Sequence, residues 1–196
     1  MSLKHELAQG IFFSVNYRIV TTLIGAFLLA GCGKQAAPPV VAAPAAPANP
    51  TVRDLIPNQA QPKLRTIKLW LGAEEMNAEL AATPSQIVAG MMYRTNIEPN
   101  AGMLFLLPKP AHPAFWMKNC PLDLSAAFMD PEGIVLELHD FQAESTNPVA
   151  ATAYDVQYVL ETSRGWFAQH NISTGMLVRT EYGTFSNTFY RKTPTR

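Results

Sequence analysis

Asp155-Val156-Gln157-Tyr158-Val159-Leu160-Glu161 is the stretch that decides the fold class. Val156, Tyr158 and Leu160 fall on one side of an extended chain, and Gln157 and Glu161 fall on the other. That two-residue period belongs to a half-buried strand. The same period recurs upstream. Leu64 to Leu71 sets Ile67, Leu69 and Leu71 opposite Lys68, and Ile134-Val135-Leu136-Glu137-Leu138 sets Ile134, Leu136 and Leu138 opposite Glu137 and His139. Pro131-Glu132-Gly133, just after Asp130, reads as a hairpin turn between two apolar runs.

Two short helices interrupt this pattern. Thr83-Pro84-Ser85-Gln86 combines an N-cap hydroxyl, proline at the first helical position and glutamine at the third, as in a capping box. Ile87, Val88, Met91 and Met92 continue it as an apolar stripe at helical spacing, with Arg94 placed to meet the C-terminal end of the dipole. A second helix is expected from Ser163 to His170, with Gly165-Trp166-Phe167 packing inward and Asn171 ending it. The expectation is therefore a mainly β domain of the α+β kind: small, barrel-like and antiparallel, with one or two short helices. It occupies residues 63–196, enough for a single core. The methionines read as core filler.

The N-terminal third has a different character. Ile19 to Leu29 is apolar but too short to span a bilayer, and Arg18 precedes it directly. Leu29-Ala30-Gly31-Cys32 closes the run and resembles the lipobox of bacterial lipoproteins. The resemblance implies a signal peptide over residues 1–31, cleavage before Cys32 and acylation of its thiol. Residues 32–62 follow as a linker rich in Pro and Ala, with Pro38, Pro39, Pro44, Pro47, Pro50, Pro57 and Pro62. Such a segment leans to polyproline II and buries little apolar surface. At about 3.1 Å per residue, about thirty residues reach at most roughly 90 Å. The chain is thus expected in the cell envelope, held to a membrane by the lipid on Cys32. By the same resemblance, Gly33 where retained inner-membrane lipoproteins carry an aspartate implies the outer membrane, facing the periplasm, in a host with two membranes.

Charge removes other classes. Without Lys4, Arg18 and Glu6, the mature chain would carry 13 Lys+Arg against 14 Asp+Glu. That balance leaves no basic footprint for nucleic acid and no polybasic patch for a membrane surface. With Cys32 acylated, Cys120 is the one thiol left, and an internal disulfide has no partner.

Four blocks in order carry a family resemblance: Thr83 to Arg94, Gly102-Met-Leu-Phe-Leu-Leu107, Phe115-Trp-Met-Lys-Asn119, and Tyr158-Val-Leu-Glu161 followed by Gly165-Trp166. Over about Thr66 to Val178 the chain resembles the DUF192 family of small, mainly β domains, often secreted or lipid-anchored and without an agreed biochemical role. One position departs from the pattern: Asp123 stands where the family often has proline.

The block Phe115 to Asn119 is the one with chemistry to offer. In a strand, Phe115, Met117 and Asn119 point one way, while Trp116 and Lys118 point the other. A flat ring beside a cation suits a small polar ligand, and Trp116, Lys118, Asn119 and Glu161 are the candidate binding residues. The competing reading makes Trp116 core and pairs Lys118 with Glu161 or Asp123. No catalytic set stands out. Cys120 with His139 or His112 would need a thiolate and a base in contact, and dispersed His112, His139 and His170 lack the spacing of a zinc site. No metal or other cofactor is expected. Two readings follow: a non-catalytic envelope domain that binds a small polar ligand or a partner protein, or a hydrolase of an envelope metabolite using Lys118, Cys120 or His139.

Overall fold

A computed structural model describes residues 51–189. The expected signal peptide, Cys32 and the first part of the expected linker lie outside the described residues. Nine strands and four short helices are seen. In chain order they are α1 (Val52–Leu55), β1 (Thr66–Leu71), β2 (Glu74–Ala81), α2 (Pro84–Ala89), β3 (Ala101–Ala111), β4 (Ala114–Phe115), β5 (Leu124–Met129), β6 (Val135–Phe141), β7 (Val149–Ala150), β8 (Val156–Ser163), α3 (Trp166–Gln169), β9 (Val178–Thr180) and α4 (Phe185–Phe189). Seven strands form one curled sheet in the order β6-β5-β8-β3-β2-β1-β9, and β4 pairs with β7 beside it. All pairs in the large sheet are antiparallel except β2 with β3. A parallel neighbour needs a crossover rather than a hairpin, and the segment carrying α2 supplies it.

Both faces of this sheet are covered, which explains the burial of its central strands. Alternate residues along β3, β5 and β8 divide between two apolar cores. Leu104, Ala127, Met129, Tyr158 and Leu160 enter the first, with Trp166, Phe167 and Phe185. Met103, Phe105, Phe128 and Val159 enter the second, with Ile87, Met91, Phe115, Met117 and Cys120. Tyr158 and Leu160 share a face as the period reads, but Val156 packs in the second core, and the opposite side of β8 does not face water. Gln157 and Glu161 are each only 4% exposed.

Local signals explain the connections. The Thr83 hydroxyl accepts from Gln86 N at 3.3 Å, and the Gln86 side chain accepts from the amides of Thr83 and Ala82 at 3.0 Å each. This satisfies donors that a helix start leaves unpaired. The helix stops a turn earlier than its apolar stripe suggests, because Gly90 adopts φ 43°. Met91 and Met92 are buried from the turn that follows. Arg94 lies beyond the helix and makes a fork to Glu79 at 2.7 and 2.8 Å. The expected second helix is shortened to α3, because Ser163 belongs to β8 and Gly165 is left-handed at the cap. Asn171, at φ 56°, ends it. The turn after Asp130 is present. The Asp130 carboxylate accepts from the amides of Glu132 and Ile134 at 3.0 and 2.8 Å. In β6 a bulge shifts the register between Phe128 and Met129, so Leu136 and Leu138 pack against different cores.

Residues ahead of β1 also contact the domain. Gln61 Nε2 donates to Gly90 O at 2.8 Å and to Gln86 O at 3.2 Å, and α1 packs on α2. The last dozen residues of the expected linker thus lie against the domain.

A candidate binding cavity beneath Trp116 and Lys118

The block from Phe115 to Asn119 is only partly a strand. Ala114 and Phe115 pair with Ala150 and Val149, after which backbone bonds to loops hold the chain. Met117 N donates to Ser145 O at 2.8 Å, Tyr93 N to Asn119 O at 2.7 Å, and Glu144 N to Cys120 O at 2.9 Å. Alternation survives as far as residue 118. Phe115 and Met117 are buried in the second core, while Trp116 and Lys118 are half-buried. The Lys118 ammonium sits 5.3 Å above the Trp116 ring, a cation–π contact. Among the described residues Lys118 makes no salt bridge, and Asp123 pairs instead with Arg164 at 3.3 Å. Asp123 has a use of its own where the family often has proline, since its carboxylate accepts from Ala143 N at 2.7 Å. That bond, with Arg164 beside it, holds the carboxyl below its ordinary range.

Glu161 comes to the same place from β8. Its cross-strand neighbours are Met103 and Ala126, both apolar. No hydrogen bond or ion pair joins its carboxyl to any described residue, and burial pushes that carboxyl up to about 8. A cavity of about 40 Å³ opens beside it, lined by Met91, Trp116, Met117, Lys118, Cys120 and Glu161 among others. Val52 of α1 closes part of its wall. Three of the four candidate binding residues thus line one cavity. Asn119 does not line it; its left-handed φ of 58° makes it the turn that sends the chain back towards Cys120.

The groups proposed for a hydrolase are placed differently. The Cys120 thiol donates to Leu122 O at 3.7 Å. Burial raises it to about 11, and the charges of Glu161 and Glu144 act in the same direction. His139 bonds Glu137 Oε2 at 2.8 Å with its ring edge on Phe128, and His112 bonds Ala151 O while stacking on Tyr154. Neither histidine meets the thiol. Glu137 is a structural anchor: burial raises it, but the amides of Ala153 and Thr152 and the His139 ring bring it below its usual range.

A second hollow, of about 330 Å³, has Ser125, His139 and Asp140 among its lining residues, a grouping the sequence did not suggest. It does not form a nucleophilic triad. Ser125 Oγ donates to Asp140 Oδ1 at 2.5 Å and accepts from Gly165 N at 2.8 Å, so the hydroxyl is tied on both sides. His139 precedes Asp140 on one strand and turns to the opposite face, against Phe128. Among the described residues, no three His, Cys, Asp or Glu side chains gather to hold a metal ion.

Among curated proteins, none is significantly similar to this chain. Solved structures are. A Sinorhizobium meliloti 1021 protein, described only provisionally as a transcription regulator, is 28% identical with a TM-score of 0.58, over 61% of this chain and 97% of that one. A Novosphingobium aromaticivorans DSM 12444 protein of unknown function is 26% identical with a TM-score of 0.53, over 58% of this chain and 83% of that one. DUF192, described as an uncharacterized ACR, matches residues 67–180, a span from β1 to β9 that includes Trp116, Lys118, Cys120 and Glu161. With the sheet and the cavity both inside that span, the chain belongs to the DUF192 family.

Proposed function

We propose that this chain is a non-catalytic, envelope-anchored domain that binds a small polar ligand in the cavity beneath Trp116 and Lys118. One observation carries the reading. Glu161 is buried beside that cavity with no partner among the described residues. A buried polar group without a partner costs roughly 1–3 kcal/mol, and a ligand that supplies one recovers part of that cost. Apolar walls with a few placed polar groups are the usual make-up of a small-molecule site. The cavity here has sulfur and aromatic walls with one carboxyl and one ammonium.

The envelope setting rests on the lipobox-like run ending at Cys32 and the Pro/Ala-rich linker. The outer membrane, facing the periplasm, is the expected face. No described helix is long and apolar enough to cross a membrane. A hydrolase using Cys120 finds no support in a thiol raised to about 11 with no base in contact. The regulator description of the Sinorhizobium relative stays with that protein, since this chain has no net positive charge to offer DNA.

The test is a thermal-shift screen of the full-length chain against small polar compounds, repeated on Lys118→Ala and Glu161→Gln. A ligand at about a hundred times its dissociation constant adds roughly 2.7 kcal/mol of stability. The reading expects a shift that is lost in the folded variants. A shift unchanged in both variants, or none at all, overturns it.

A further inference from the structure

Glu161 and Lys118 bring a carboxyl and an ammonium to one cavity, yet no ion pair joins them. The ammonium of Lys118 lies over the Trp116 ring instead, and Glu161 lines the cavity together with the sulfur-bearing Met91, Met117 and Cys120. Both groups are available to a third party. A single cation would satisfy Glu161 and meet repulsion from Lys118, whereas a single anion would do the reverse. A molecule with both charges satisfies each.

From this arrangement we infer that the ligand is a small zwitterion, with a primary ammonium seated on Glu161 and a carboxylate or phosphate at the mouth on Lys118. The inference rests on the binding role proposed above and narrows it to a ligand class. The cationic end must carry N–H donors for the unpartnered carboxyl, which a quaternary nitrogen lacks, and the small cavity selects the primary ammonium over bulkier groups. Size agrees: about 40 Å³ is room for about three water-sized spheres, or an ammonium with one or two methylenes. The anionic end must therefore lie at the rim, where Lys118 is half-buried beside Trp116. The walls are suited to the methylene arm, since thioethers are soft and adaptable.

A proton marks the event. Burial that lifts the Glu161 carboxyl to about 8 favours its protonated form at pH 7, and a seated ammonium favours the ionised form. Binding at pH 7 therefore releases close to one proton to the buffer. Affinity rises toward tenfold per pH unit between pH 6 and 7 and levels off above pH 8.

The experiment is calorimetry of the full-length chain with glycine, β-alanine, 4-aminobutyrate and aminoethyl phosphate, and with butylamine, butyrate and acetamide as partial probes. Titrations in two buffers of different ionisation enthalpy count the protons. The expected result is at least one zwitterion bound tenfold or more tightly than butylamine or butyrate, with proton release. Glu161→Gln should abolish that release and weaken the zwitterion at least tenfold. This variant mimics the protonated acid, so it keeps the fold. Lys118→Met should remove the advantage of zwitterion over butylamine while leaving the proton count. Acetamide bound without proton release and zwitterions unbound would overturn the zwitterion and leave the cavity a binding site. No probe bound by a folded chain would sink the zwitterion, and the thermal-shift screen would decide the binding role separately.

Discussion

Gly102 and Glu161 pass so close that a Cβ on Gly102 would come within 2.5 Å of the Glu161 carbonyl oxygen. The same added carbon would meet Met76 Sδ at 3.1 Å. Gly102 and its cross-strand partner Thr162 lie next to the Met103–Glu161 pair. The glycine is therefore what lets β3 lie against the strand that carries the buried carboxyl. Gly102→Ala forces these strands apart, at a cost of roughly 1–3 kcal/mol from overpacking. Urea unfolding should show the loss as a lower midpoint at unchanged m. Wild-type stability in that variant would mean that the two strands approach less closely than described.

Stability should depend on pH through Glu161. Its folded value is about 8 against a reference of 4.5, so the folded chain holds this proton more tightly than the unfolded chain. The sign follows: the stability tied to the neutral acid is complete below about pH 4.5, declines as pH rises, and is gone above about 8. One proton gives a slope near 1.4 kcal/mol per pH unit between those limits. Denaturant unfolding from pH 5 to 8 should show wild type losing stability relative to Glu161→Gln at roughly that slope. Parallel curves would mean that Glu161 is ionised in the folded chain and has a partner.

The sequence revealed the sheet more readily than the site, for a physical reason. Ile67, Leu69 and Leu71 alternate because β1 buries one face, and the period can be read directly. In β8 the same period implies a wet face that is in fact covered by α2 and the block after β4. A carboxylate on a strand reads as solvated unless the chain that crosses above it is known, and that cover comes from residues distant in sequence. Trp116 and Lys118 were legible as a ring beside a cation. Asn119 was a candidate only as the polar residue next to Lys118 in sequence; the strand ends at Phe115, and Asn119 is the left-handed turn that follows. Gly90 had the opposite effect: a glycine inside an apolar helical stripe was a stop signal, and the methionines beyond it are buried without being helical.

Arg94 and Glu79 join the turn after α2 to strand β2 through a two-pronged ion pair, at side-chain exposures of 16% and 12%. Leu64 N also donates to Glu79 Oε2, at 2.7 Å. Removing one partner leaves the other partly buried and unpaired, which is the costly case. Glu79→Gln should lower stability by about 2–3 kcal/mol, with little dependence on salt because the pair is shielded from solvent. Urea unfolding at 0.05 and 1 M sodium chloride checks both statements. A loss below about 0.5 kcal/mol would class the pair with ordinary surface bridges.

Cys120 separates the binding domain from the thiol hydrolase. A thiol held at about 11 is ionised in about one molecule in ten thousand at pH 7, and the thiolate is the reactive form. Its sulfur is buried with the second core and donates to Leu122 O. An excess of a thiol-specific reagent at pH 7.5 should therefore modify the folded chain slowly and the urea-unfolded chain quickly, by a factor of at least a hundred. Cys32, if its thiol is acylated, contributes nothing to the count, and mass spectrometry of the modified peptide assigns the site in either case. Cys120→Ser should fold and keep the ligand, since the cavity uses the sulfur only as wall. Fast modification of the folded chain at Cys120, together with loss of function in the serine variant, would instead make the thiol a nucleophile.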